Sequence, residues 1–95
     1  MMSWFRLALF AALLIFSGQP ASAQEYDTDR PGGDYKTLRL SAPDFNLCRS
    51  ACANDSSCVA WTYERPADDG SRARCRLKTV AGKRVADECC ISGVK

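Results

Sequence analysis

Hydrophobic and polar positions divide the chain into one unbroken apolar run and several short, mostly alternating segments. The run is Leu7 to Phe16 (LALFAALLIF), preceded by Arg6 and broken by Ser17, Gly18, Gln19 and Pro20. Ala21-Ser22-Ala23 then supplies a small-residue cleavage site. Together these are the three regions of a secretory signal peptide, predicted over residues 1–23. The run is too short to cross a bilayer, which takes about 20 apolar residues. Cleavage would leave 95 − 23 = 72 residues without a stable membrane anchor, secreted or periplasmic.

Residues 24–34 (QEYDTDRPGGD) carry no apolar period and read as a polar lead-in loop, with Pro31-Gly32-Gly33 as a turn. Residues 35–95 read as the folded domain. Tyr35 to Leu40 alternates, with Leu38 and Leu40 on one face, and predicts a half-buried strand. Ser41, Pro43 and Asp44 mark a helix start, with Ser41 as cap. Phe45 to Ala53 has helical spacing, and Asn54 to Ser57 ends it. Cys58 to Tyr63 (CVAWTY) is β-branched and aromatic, the clearest strand of the chain. Trp61 within it reads as core, where Trp61→Ala would cost roughly 3–5 kcal/mol. A polar hairpin loop over 64–74 leads to a short strand at 75–78. Residues 80–88 read as irregular, and 90–94 as a closing strand. Short strands with one helix make a small α+β domain.

All six cysteines fall in the second half, as C-x3-C-x5-C-x16-C-x13-C-C: Cys48, Cys52, Cys58, Cys75, Cys89 and Cys90. An even count in a short exported chain implies a disulfide framework, which a domain of this size needs to supplement its core. Cys48 and Cys52 share one helix face and are poorly placed to bond each other. The short return from Cys52 to Cys58 suits a bridge, and Cys48 would then meet Cys75. Cys89 and Cys90 stay open between a vicinal disulfide and some other pairing. Zinc sites favour C-x2-C pairs and often histidine; the chain has neither, so metal binding is disfavoured and no cofactor is expected. Thiol redox catalysis likewise lacks its C-x-x-C, leaving Cys89-Cys90 as the one conceivable redox element.

The absence of histidine removes Ser/His and Cys/His nucleophile systems, and the domain is not expected to be an enzyme. Loss of Arg6 leaves 13 − 1 = 12 basic against 11 acidic side chains, so no global charge draws it to nucleic acid. One local feature suggests binding. Arg72, Arg74, Arg76, Lys78, Lys83 and Arg84 fall in a stretch with no acid between Asp69 and Asp87. In an extended strand Arg74, Arg76 and Lys78 share one face, opposite Cys75 and Leu77. That is a basic stripe suited to an anionic glycan, a lipid phosphate or an acidic protein patch; the plain alternative is a solvated strand face.

C-x3-C-x5-C followed by V-A-W-T-Y, then C-R-L-K, then I-S-G-V-K, resembles the PAN/Apple domain, most closely its short bacterial secreted form. The likeness covers roughly Asp29 to Lys95. It implies a curved antiparallel sheet of about five strands cradling one helix. It also implies bridges Cys48–Cys75 and Cys52–Cys58, in line with the helix geometry. Animal Apple domains often add a bridge between their ends, impossible here because no cysteine lies between Gln24 and Leu47. The resemblance implies a non-catalytic module for protein or carbohydrate interaction. Two other functions fit the same residues: a disulfide-stapled structural or inhibitor-like envelope protein, and an envelope thiol-redox protein using Cys89 and Cys90.

Overall fold

The computed structural model describes residues 23–95; the predicted signal peptide, apart from its last residue, lies outside them. The elements run β1 (Glu25–Asp29), β2 (Asp34–Arg39), α1 (Phe45–Ala53), β3 (Ala60–Glu64), β4 (Arg74–Lys78) and β5 (Val85–Val94). The strands form one antiparallel sheet in the order β1-β5-β3-β4-β2, with α1 against β3 and β4. This is the α+β arrangement expected from the sequence.

The central strand β3 is buried along most of its length. Alternation sends Trp61 and Tyr63 to the helix side with Cys75, Leu77 and Ile91, where they form one apolar cluster with Cys48 and Cys52. The Phe45 ring stacks parallel to Trp61, centroids 6.4 Å apart, and Tyr26 meets Phe45 edge-on at 5.8 Å. Two disulfides fasten the helix. Cys48 is bonded to Cys75 and Cys52 to Cys58, each with Cα atoms 5.2 Å apart. The first spans 27 residues and the second 6. Chain-entropy arithmetic on those separations gives about 3.5 and about 2 kcal/mol. Gly93 faces Trp61 across β3–β5, and a Cβ there would stand 2.6–2.8 Å from the indole, so only glycine admits the ring.

Several elements differ from the sequence reading. Residues 25–29 are not a loop but the edge strand β1, paired with the last strand of the chain. An edge strand needs backbone partners more than apolar alternation, and charge suits an exposed edge. Arg30 fixes its end through a two-pronged pair with Glu25 at 2.9 and 2.7 Å. The helix cap is Asp44 rather than Ser41: its Oδ1 accepts the Asn46 N–H at 2.9 Å. Residues 85–88, read as irregular, belong to β5. The strand read over 58–63 begins only at Ala60, and Val59 before it is exposed.

β1 and β5 slip in register. Tyr26 faces Ile91 but Thr28 faces Ala86, so 28 − 26 = 2 steps on β1 oppose 91 − 86 = 5 on β5. Asp27 takes up the mismatch with φ 51°. The surplus on β5 is the stretch Asp87 to Cys90, which contains the vicinal disulfide Cys89–Cys90. Cys89 is exposed and Cys90 buried.

Consecutive strands β1 and β2 occupy opposite edges of the sheet. The segment joining them therefore crosses the face away from the helix, and that face is lined with polar groups. Thr62, Ser92 and Lys78 are fully buried there. Thr62 and Ser92 share a hydrogen bond of 2.8 Å, and Ser92 donates to the Thr28 carbonyl at 2.9 Å. Thr79 N–H donates to the Gly33 carbonyl, and Gly82 packs on the Pro31 backbone where a Cβ would stand 2.6 Å from the carbonyl oxygen.

Candidate functional site

The predicted basic stripe lies on this crossed face, and most of its charge is spoken for. The Lys78 ammonium is buried, donating to the Gly32 carbonyl at 3.1 Å and paired with Asp34. Arg76 sits among three acids: Asp29 at 3.2 Å, Asp34 at 3.5 Å and Glu64 at 3.0 Å. Its Nε–H, though close to Glu64, is not aimed at an acceptor. Lys78 and Arg76 thus hold the crossing segment down instead of facing solvent as a stripe. Sequence pattern placed them on the correct face but could not show the acids of residues 29 and 34 folding over it. Lys83 and Arg84 are exposed in the loop before β5.

Arg72 and Arg74 take a different course. With Arg39 they rim a cleft of about 410 Å³, completed by Asp69, Gly70 and Ser71 of the hairpin loop. Arg39 and Arg74 are register partners across β2–β4. Like charges directly opposite on a sheet repel. Arg74 is paired on its other side with Glu64 at 2.8 Å, while Arg39 has no carboxylate within pairing distance among the described residues. Arg72 Nε–H donates to the Leu40 carbonyl at 3.1 Å, which fixes the side chain and leaves its terminal nitrogens available. Asp69 serves the loop. Hydrogen bonds from the Ser71 side chain and backbone hold its carboxyl below the usual range. The lining carries three guanidinium groups against one engaged carboxylate, an anion-accepting arrangement. Arg39 was missed in the sequence because only the β2–β4 register brings it beside Arg74.

A second concavity lies on the helix side. Pro43, Phe45, Pro66 and Ile91 wall a groove of about 560 Å³, with Asp44, Tyr63 and Arg65 supplying its polar groups. Tyr63 is buried as a residue, but its hydroxyl opens on the groove, where solvent reaches it. Burial pushes its phenol above the ordinary value; Arg65 opposes the shift and Asp44 adds to it. Arg65 is held by Asp27 at 3.1 Å and by the Glu88 carbonyl.

A small antiparallel sheet, one helix stapled to it by two cystine bridges, and open concavities on both faces define a small disulfide-stabilised α+β domain. Comparison with known families makes this specific. A PAN domain model matches residues 28–78, more than half of the chain, and the chain belongs to the PAN domain family. The match takes in β2, α1, β3, β4 and both helix-to-sheet disulfides, and stops before β5 and the Cys89–Cys90 pair. No curated protein matches the sequence. PAN domains are in general non-catalytic modules that bind proteins or carbohydrates.

Proposed function

We propose that the protein is an exported, non-catalytic binding domain, secreted or periplasmic, whose arginine cleft takes an anionic group of a glycan or protein ligand. The observation that carries this reading is the like-charged pair Arg39–Arg74 across β2–β4, of which only Arg74 has a carboxylate partner, with Arg72 beside it. A sulfate or carboxylate seated between these guanidinium groups replaces a repulsion by charge-assisted hydrogen bonds. A disulfide framework suits an oxidising compartment.

The test is salt-dependent retention on a column bearing a sulfated polysaccharide. Arg39→Ser and Arg72→Ser are expected to weaken binding roughly fivefold each, the scale of an exposed charge contact. Lys83→Ser and Arg84→Ser should elute as the parent protein does. Equal retention of all four variants with the parent would show that the cleft is not where the anion sits.

A further inference from the structure

The three disulfides differ in how the fold supports them. Cys48, Cys52, Cys58 and Cys75 lie buried in the apolar cluster between α1 and the sheet. A thiolate reaches their sulfurs only by opening the core. Their bridges also span 27 and 6 residues, so breaking either returns loop freedom to the unfolded chain. Cys89–Cys90 joins chain neighbours, closes almost no loop and gains almost nothing from that source. Cys90 is fully buried, but Cys89 is exposed. The pair lies in the stretch of β5 that has no partner on β1, so no ladder on that side shields it. Adjacent side chains of a strand point to opposite faces, and a bond between them keeps this stretch from a regular pleat.

The same stretch is tied to one side chain. The Cys89 carbonyl accepts the Arg65 backbone N–H at 2.9 Å. The Arg65 guanidinium donates to the Glu88 carbonyl and pairs with Asp27 at 3.1 Å. Asp27 is the residue that takes up the register slip on β1. Arg65 therefore spans both halves of the mismatch, and it also lines the helix-side groove.

We propose that Cys89–Cys90 is a thiol-exchange site, reduced by an external dithiol while both helix staples stay closed, and that its opening frees the β1–β5 bulge and Arg65 with it. A thiolate of the dithiol attacks the Cys89 sulfur, since Cys90 is out of reach. The S–S bond breaks, and Cys90 leaves as a thiolate and takes up a proton. The second thiol of the dithiol gives up its proton, attacks the mixed disulfide and releases Cys89, which is protonated in turn. An electron pair and a pair of protons pass to the protein, and the dithiol leaves as a disulfide. The pair is the recipient of this exchange and not its catalyst. It lacks the C-x-x-C spacing, and its chain neighbours Asp87 and Glu88 are acids, where an attacking cysteine sits among positive charges. The site shares no residue with the arginine cleft.

The test is graded reduction of the whole folded protein with dithiothreitol. Samples are quenched in acid, trapped with N-ethylmaleimide in denaturant so that buried thiols count with exposed ones, and mapped by peptide mass. Without reductant no cysteine of the domain should carry label. At low reductant Cys89 and Cys90 should be labelled together, with the other four unlabelled. Amide shifts in that state should move at Asp27, Arg65 and residues 88–91, and stay in place at Trp61 and along α1. Cys89→Ser combined with Cys90→Ser should reproduce those shifts without reductant, and the same low reductant should then change nothing. The proposal is overturned if any of Cys48, Cys52, Cys58 and Cys75 is labelled before or with the pair, or if the pair opens only when the protein unfolds. It is equally overturned if the untreated protein already carries label at Cys89 or Cys90, or if the reduced protein keeps the parent's shifts at Asp27 and Arg65.

Discussion

On one face of the sheet Trp61, Tyr63, Leu77 and Ile91 pack with α1 and two disulfides; on the other Thr62, Arg76, Lys78 and Ser92 meet hydroxyls, carbonyls and carboxylates. The same three strands supply both. The helix side is held by non-directional burial and covalent staples, so it needs volume and shape more than exact partners. The crossed side is held by directed contacts, in which each buried polar group depends on a named partner. A loss on the first face leaves a void, whereas a loss on the second leaves an unanswered charge or donor.

The largest expected effect comes from the helix side. Trp61→Ala removes the indole that stacks on Phe45 and covers Gly93, and should lower unfolding stability by about 3–5 kcal/mol in a chemical denaturation curve. No polar substitution nearby should restore it, because what is missing is packed volume.

The crossed side should respond less, and should be rescuable. Lys78→Met fills the same space but strips Asp34 and the Gly32 carbonyl of their shared cation, at an expected cost of about 1–3 kcal/mol. Adding Asp34→Asn should recover part of that loss in a double-mutant cycle, since the carboxylate that lost Lys78 and keeps only Arg76 is gone. A loss as large as that of Trp61→Ala, with no recovery, would erase the distinction between the two faces.

The smallest effect lies at the rim that neither face controls. The Asp55 carboxyl is held below the usual range by the Ser57 backbone N–H first, then by the Tyr35 hydroxyl, Lys36 and Lys95. With the folded value depressed, the unfolded chain binds the proton more readily. The associated stability is therefore present above the ordinary carboxylate pKa and is lost as pH falls through the folded value. The melting temperature of the parent protein should fall on acidification through that window, and Asp55→Asn should flatten this part of the curve.

Sequence pattern made the helix side legible. Helical spacing of Cys48 and Cys52 and the β-branched, aromatic run at 58–63 are local signals of burial, and local signals are what a sequence displays. The crossed side was opaque for a physical reason. β1 has no apolar period because its pairing is through backbone and ion pairs. Arg76 and Lys78 look like a solvated stripe until Asp29 and Asp34, more than 40 positions away from them, are folded over the strand. The candidate sites were legible in the same measure. Arg72 and Arg74 were visible as charge, while Arg39 needed strand register.

The crossing of β1 to the far edge also sets a clock on assembly. β1 is near the start of the described chain, but its partner is the last strand, with Glu25 opposite Ser92. A chain emerging N-terminal end first, from ribosome or translocation pore, holds β1 without a mate until the closing ten residues of β5 arrive. Until then β2, α1, β3 and β4 can pair and oxidise Cys48–Cys75 and Cys52–Cys58 among themselves. The acidic, one-sided sequence of β1 is suited to that wait, because a charged strand tolerates being alone where an apolar one would find a wrong companion.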